Sequence, residues 1–216
     1  VAYDTEQHLA FETGLQLTTS PAFLGERIGV SLSELEEGAD HNGDGDQDDL
    51  FVQLIEPGLG TVTDLGLESP LDLRAAGARL VLALAEAGAG TDWNGDGDTL
   101  DTVLFVHDPA DGSLSGTGHA VLGVTDAVSP ARLLLRAQEG GDGRDLNGDG
   151  DELDEVYVLY DIAGKTSTNL RLAGASFPDA PLTAGGRGAF LVSEFDQGRD
   201  LNGDGDRDDR VVFTLQ

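Results

Sequence analysis

Four copies of one 16-residue segment run through this sequence, and the repetition constrains the fold more than any other feature. The copies align without gaps, and each reads E-x3-G-x-D-x-N-G-D-G-D-x2-D, with nine identical positions. Successive copies begin 52, 53 and 55 residues apart, a period typical of proteins built from repeated supersecondary units. They occupy residues 34–49, 86–101, 139–154 and 194–209.

Short apolar runs flank every copy and predict one strand on each side of it. The runs before the copies span residues 27–33, 79–85, 131–137 and 188–193, and those after them span 50–55, 102–107, 155–160 and 210–215. Residues 103–106 and 156–159 are apolar on both faces of a strand, which predicts strands buried on both sides. A further strand is predicted over 166–172 and a weaker one over 181–184, where Gly185 and Gly186 turn the chain into the next unit. Helical periodicity is absent.

Units of this length with three to four antiparallel strands predict an all-β fold, a four-repeat β-propeller in a single domain. The predicted units are residues 1–52, 53–104, 105–157 and 158–212, followed by a terminal strand over 213–216. Residues 1–4 match residues 158–161, and the last copy stops at the equivalent place. Two arrangements fit this overlap: the termini share one blade of a closed ring, or the end strands pair between chains in an open, strand-exchanged assembly.

The combined pattern of residues 188–209 and 154–170 resembles the repeat of TolB-type β-propellers in secreted bacterial proteins. Those repeats carry an acidic loop between the second and third strands of a blade. The resemblance extends over the whole chain at the level of the repeat, and it implies a propeller that binds or scaffolds partners. Two features depart from it, since such propellers usually have more than four blades and a less elaborate acidic loop.

Each copy contains a ten-residue acidic loop that begins like a calcium-binding loop, with Asp at position 1, Asn at 3, Asp at 5 and Gly at 6. Calcium takes about 6–8 oxygen ligands, and alternate residues of a curled loop point short side chains inward. The candidate metal ligands are Asp40, Asn42, Asp44, Asp46 and Asp49; Asp92, Asn94, Asp96, Asp98 and Asp101; Asp145, Asn147, Asp149, Asp151 and Asp154; and Asp200, Asn202, Asp204, Asp206 and Asp209.

The loop departs from an EF-hand because an apolar residue stands at position 12, where a bidentate Glu would be needed. We therefore expect the Asp at position 10 to close the site. Compared with integrin-type propeller loops, this loop has one added residue, the Asp at position 7, which offers either its carboxylate or its carbonyl oxygen. A glutamate also recurs six residues before each loop, and it is either a further ligand or a solvated acid at a strand end. These glutamates are Glu34, Glu86, Glu139 and Glu194.

Charge favours a metal over metal-free Asn-Gly and Asp-Gly turns. The loops contain 19 of the 41 acidic residues, and four Ca²⁺ ions would cancel eight of their charges. Magnesium is less apt because it dehydrates reluctantly, and zinc is disfavoured because there is no Cys and the four His are scattered.

The net charge of −29 excludes nucleic acids and anionic membranes as partners, and no apolar run approaches the about 20 residues of a membrane span.

No catalytic constellation is present, so we expect a non-enzymatic protein. Residues 112–116 have Leu where a nucleophile elbow needs Ser, and His8, His41, His107 and His119 lie in unrelated places. Trp93 could stack on a sugar ring or pack within its loop.

We expect an extracellular or cell-surface calcium-binding module with a structural or adhesive role, which could self-associate into a filament or surface layer. The alternatives are a carbohydrate-binding or glycan-acting propeller domain, and a fragment of a larger propeller.

Overall fold

The computed structural model describes residues 2–4, 9–11, 15–41, 43, 45–68, 70–124, 127–175, 181–184 and 186–215. The strands are β1 Ala2–Asp4, β2 Leu9–Phe11, β3 Ala22–Leu24, β4 Arg27–Ser33, β5 Leu50–Glu56, β6 Thr61–Glu68, β7 Pro70–Ala76, β8 Arg79–Ala85, β9 Thr102–Asp108, β10 Ser113–Ala120, β11 Ala127–Ser129, β12 Arg132–Gln138, β13 Glu155–Asp161, β14 Thr166–Ala173, β15 Leu182–Ala184, β16 Arg187–Ser193 and β17 Arg210–Leu215. The helices are single turns: α1 Glu34–Glu37, α2 Glu86–Ala89 and α3 Glu139–Asp142. None of the described helices approaches the length of a membrane span.

Consecutive strands pair antiparallel, so that each sheet is an up-and-down meander. The first sheet contains β3–β6, the second β7–β10, the third β11–β14 and the fourth β15–β17, and β1 pairs with β2 in a separate hairpin. In each of the four sheets the acidic loop joins the second strand to the third. The all-β repeat architecture predicted from the sequence is therefore confirmed.

The strands beside the acidic loops follow the sequence prediction closely. β4, β8 and β17 have the predicted bounds, and the other predicted strands differ by one residue at one or both ends. The structure adds three single-turn helices, α1–α3, which the sequence did not indicate because a four-residue turn is too short to show helical periodicity. Each turn stops at a glycine with left-handed backbone, as at Gly38 with φ of 68°.

The core lies between successive sheets. Leu80 and Leu82 of the second sheet pack with Val52 of the first, and a second cluster joins the second sheet to the third. A third cluster joins Tyr157 of the third sheet to Phe190 of the fourth. The two strands predicted to be buried on both faces are so, apart from a partly exposed residue at position 159. Each sheet is thus covered by its neighbours in chain order.

The terminal strands do not close the fold through a shared sheet in the described part of the chain. β1 and β2 pair with each other, and the fourth sheet ends at β17. Residues of β17 alternate between exposed and half-buried, and Val212 is 63% exposed. The expected blade shared by both termini is therefore not seen among these strands.

Candidate metal centres

A buried glutamate anchors each acidic loop to the strand that precedes it. All four glutamates are 0% exposed, so the interpretation as solvated strand-end acids is wrong. Their Oε1 atoms accept hydrogen bonds from the backbone N–H of the second loop residue, at 2.5 Å from His41, 2.5 Å from Trp93, 2.7 Å from Leu146 and 2.6 Å from Leu201. In the last three loops the N–H of the third residue donates to the same oxygen.

The antiparallel ladder sets each glutamate opposite the last residue of its loop. The backbone N–H of the glutamate donates to the carbonyl oxygen of the Asp at position 10 in every copy, for example Glu86 to Asp101 at 2.9 Å and Glu194 to Asp209 at 3.0 Å. This pair continues the strand pairing by one step beyond the Ala85–Thr102 pair of β8 and β9. Backbone pairing alone therefore brings two acidic side chains to the base of the loop.

The Asp at position 7 joins these two carboxylates. In each copy one oxygen from the Glu, one from the position-7 Asp and one from the position-10 Asp lie within 4.8 Å of one another. The groups are Glu34, Asp46 and Asp49; Glu86, Asp98 and Asp101; Glu139, Asp151 and Asp154; and Glu194, Asp206 and Asp209. Three carboxylates at this spacing can hold a metal ion that prefers oxygen ligands.

The aspartates at position 1 fold the loop and are not members of these groups. Each accepts hydrogen bonds from the backbone N–H of the glycines at positions 4 and 6, for example Asp145 from Gly148 at 2.6 Å and Gly150 at 3.1 Å. Both glycines have positive φ, 88° and 109° in this loop, a backbone that glycine adopts without strain. The equivalent aspartates Asp40, Asp92 and Asp200 make the same two contacts.

The asparagine at position 3 orients the closing aspartate. The Nδ2 of Asn147 donates to Asp154 at 2.8 Å, and that of Asn202 donates to Asp209 at 2.7 Å. The aspartates at position 5, Asp96, Asp149 and Asp204, accept the N–H of the position-7 residue and lie outside the three-carboxylate groups. Asn42 and Asp44, the remaining predicted ligands, lie outside the described residues.

Without a cation these groups are electrostatically unfavourable. Burial, and then the charges of Asp149, Asp196 and Glu139, raise the pKa of Asp154 to about 7. Burial is also the main cause that raises the pKa of Asp101. The second carboxylate oxygens of Glu86 and Glu194 are buried and have no hydrogen-bond partner within the described residues. Such an oxygen costs free energy unless a partner or a cation compensates it.

Two of the acidic loops also contact the next sheet. The Nδ2 of Asn94 donates to the carbonyl oxygen of Gly141 in α3 at 2.6 Å, and that of Asn147 donates to the carbonyl oxygen of Asp196 at 3.0 Å. A methyl group added at Gly141 would lie 2.6 Å from Oδ1 of Asp101. Sequence reasoning missed these contacts, because the residues that meet are nearly fifty positions apart.

The histidines and the tryptophan considered above as catalytic or sugar-stacking candidates lie apart from one another in the described part of the chain. His41 stacks on Phe51 with ring centroids 3.9 Å apart, and Trp93 packs edge-on against Phe105 at 4.8 Å, which favours the loop-packing interpretation of Trp93. His107 is buried, and burial lowers its pKa. His8 lies outside the described residues.

Comparison with known proteins supports the β-propeller-like architecture but does not assign the chain to a family. No protein-family model matches the chain, and no curated protein matches it. Its structure is similar to the β-propeller domain of the Trilobed protease from Pyrococcus furiosus, which is described as having an open velcro topology, with a TM-score of 0.56. The fold is β-propeller-like. The match covers 94% of this chain and 55% of that structure, and at 9% identity it shows the fold alone.

Proposed function

We propose that this chain is a calcium-stabilised β-propeller module with one Ca²⁺ ion bound at each of the four Glu-Asp-Asp groups. The observation that carries the proposal is the recurrence of a fully buried glutamate beside two aspartates in all four copies. A buried carboxylate oxygen without a hydrogen-bond partner, as in Glu86 and Glu194, is the kind of ligand that a hard cation completes.

Calcium fits these groups better than the other common divalent ions. The three carboxylates supply hard oxygen ligands, and the flexible geometry of calcium tolerates an irregular loop. Magnesium demands a near-ideal octahedron and retains water, whereas zinc prefers nitrogen and sulfur ligands. Calcium would also offset the burial and, to a smaller degree, the neighbouring negative charges that raise the pKa values of Asp101 and Asp154.

The role of the ion would be structural. Each group lies where the second and third strands of a sheet separate into the loop, so a cation there ties both strands and the loop together. Because the unfolded chain has no preformed site, binding would add directly to the free energy of unfolding. Extracellular calcium modules bind with Kd values of about 10⁻⁴–10⁻³ M, which suits millimolar calcium outside cells.

We accordingly propose a non-enzymatic, extracellular role as a structural or adhesive module. The half-exposed β17 at the end of the fourth sheet supports self-association through pairing with a strand of a second copy. Sedimentation of the chain over a range of concentrations, with and without calcium, tests the proposed self-association. Calcium-dependent growth of the particle is expected, and a monomer at every concentration would contradict self-association.

Isothermal titration of metal-stripped protein tests the proposed sites. We expect about four Ca²⁺ ions per chain, with Mg²⁺ binding far more weakly, and a decrease of one site in the Asp209→Asn variant. Asp208→Asn is the matched control, because Asp208 is a loop carboxylate outside the Glu-Asp-Asp groups. Unchanged stoichiometry in Asp209→Asn, or an equal loss in the control, would overturn the assignment.

A further inference from the structure

A cavity of about 300 Å³ between the third and fourth sheets brings together two arginines, Arg171 and Arg199. The chain has only 12 basic residues against 41 acidic ones, so two arginines lining one cavity are an unusual concentration of positive charge, and both are exposed. Within the described ranges neither guanidinium forms an ion pair, although Arg27, Arg79 and Arg136 all do.

In the equivalent cleft between the second and third sheets, a carboxylate of the protein itself pairs with the arginine. There the carboxylate of Asp142, which is 3% exposed, contacts Nδ1 of His119 at 2.6 Å and accepts a hydrogen bond from Arg144 at 3.2 Å. Its other oxygen accepts the backbone N–H of Ala120 at 2.7 Å. The single carboxylate therefore contacts both Arg144 and His119 in that cleft.

Between the third and fourth sheets the repeat places Gln197 where the previous unit has Asp142. Oε1 of Gln197 accepts the backbone N–H of Ala173 at 2.8 Å, the same contact that Asp142 makes. The neutral amide preserves the structural hydrogen bond but provides no charge for Arg199, which stands at the position of Arg144. Among the described residues, no carboxylate forms an ion pair with Arg199 as Asp142 does with Arg144.

Arg171 is held in a backbone conformation that its type disfavours. Its φ is 56°, in the left-handed region, whereas the equivalent residues of the first and second sheets are Gly66 and Gly118 with φ of 60° and 70°. A non-glycine residue is strained there, and residues retained under strain cluster at ligand sites. An arginine at this position is explained if its side chain binds something that glycine cannot.

We propose that this cavity binds the carboxylate group of an acidic ligand, with Arg171 and Arg199 as its two cationic contacts. Guanidinium groups recognise planar carboxylates through paired, charge-assisted hydrogen bonds. The carboxylate of the ligand would give Arg199 the charged partner that Asp142 gives Arg144 in the preceding cleft, while Gln197 keeps its own hydrogen bond to Ala173. Neither arginine is a member of a Glu-Asp-Asp group, although Asn147 of the third acidic loop also lines the cavity.

The test follows the arginine Nε–Hε signals of ¹⁵N-labelled protein by NMR, in calcium-containing buffer. D-glucuronate and N-acetylglutamate are titrated separately, and D-glucose is the uncharged control. We expect saturable shifts of the Arg171 and Arg199 signals with at least one carboxylate ligand and none with glucose. Saturation by glucuronate alone would identify a sugar acid, and saturation by N-acetylglutamate would identify an acidic amino-acid side chain. Linear, unsaturable shifts of all arginines would overturn the proposal.

Variants separate binding from folding. Gln197→Glu introduces the missing charge beside Arg199 with little change of shape, and we expect it to weaken binding at least tenfold, as should Arg199→Gln. Arg132→Gln, an exposed arginine of β12, is the matched control and should bind normally. Arg171→Gly should abolish binding yet raise the Tm by about 2–4 °C, because the left-handed strain is relieved. Normal binding by Gln197→Glu, or a lower Tm for Arg171→Gly, would overturn the proposal.

Discussion

Replacing Glu194 by Gln or by Ala separates the two roles that the structure gives this side chain. Oε1 accepts two backbone N–H groups of the loop, from Leu201 at 2.6 Å and Asn202 at 3.0 Å, whereas Oε2 is buried without a hydrogen-bond partner among the described residues. Glu194→Gln keeps the first role and removes the charge required for the second. Glu194→Ala removes both.

The expected changes in Tm for the two variants differ between metal-free and calcium-loaded protein. In chelator, Glu194→Gln should leave the Tm unchanged or raise it, since one buried charge is lost beside Asp206 and Asp209. Glu194→Ala leaves two N–H groups without acceptors and should cost about 2–6 kcal/mol. At calcium about 100 times Kd, one site contributes about 2.7 kcal/mol, so either variant should lose about 5–11 °C of the calcium-induced rise in Tm.

Thermal melts of the wild type and both variants, in chelator and in about 10 mM calcium, provide the assay. A full calcium-induced rise in Glu194→Gln would refute the assignment of this glutamate as a ligand. Equal destabilisation of the two variants in chelator would refute the separation of anchoring from metal binding.

Three further predictions concern the same loops. In chelator, the Tm should fall between about pH 4 and pH 7, because burial and neighbouring carboxylates raise the pKa of Asp154 to about 7 in the folded chain against 3.8 for an ordinary Asp. In that range the folded chain holds a proton that the unfolded chain has lost, and this stabilisation is gone above about pH 7. Asp154→Asn should flatten the slope, and a Tm that rises with pH would contradict the reasoning. Gly141→Ala should lower the Tm by the equivalent of about 1–3 kcal/mol, since its methyl group would meet Asp101, whereas Gly58→Ala has open space and should be neutral; equal effects in calorimetry would contradict this. Asn147→Ala should weaken calcium binding at the third loop alone, seen as one weakened site in an isothermal titration, and uniform weakening of all sites would argue against a local role.

Much of the fold could be predicted from the sequence because alternation, turns and repetition are local signals. The bounds of β4 and β8 follow from apolar runs that end at the acidic segments. The single-turn helices were missed because their residues, such as the Glu-Gly-Gly-Asp of α3, carry no helical pattern and are stopped by a glycine. The order in which sheets pack followed from the repeat, but the contacts between them, such as Gly29 against Leu80, depend on tertiary geometry.

The candidate site was predicted in part. The aspartates at positions 7 and 10 lie together as a metal site requires, but the aspartates at position 1 serve the turns of the loop. The buried glutamates recur at a fixed distance from each loop, and that recurrence was the signal for their role. It could not decide between ligand and exposed acid, because spacing along the chain does not reveal burial. The structure shows that Glu86 is fully buried and paired with Asp101 across the ladder.

Four bound calcium ions are proposed to stabilise this fold, and a thermal melt of metal-stripped protein measures that stabilisation. The melt is compared in chelator, in millimolar calcium and in the same concentration of magnesium. Four sites at 10–100 times Kd would contribute about 6–11 kcal/mol, so we expect a calcium-specific rise in Tm of well over about 10 °C. An unchanged Tm in calcium, or an equal rise in magnesium, would contradict it.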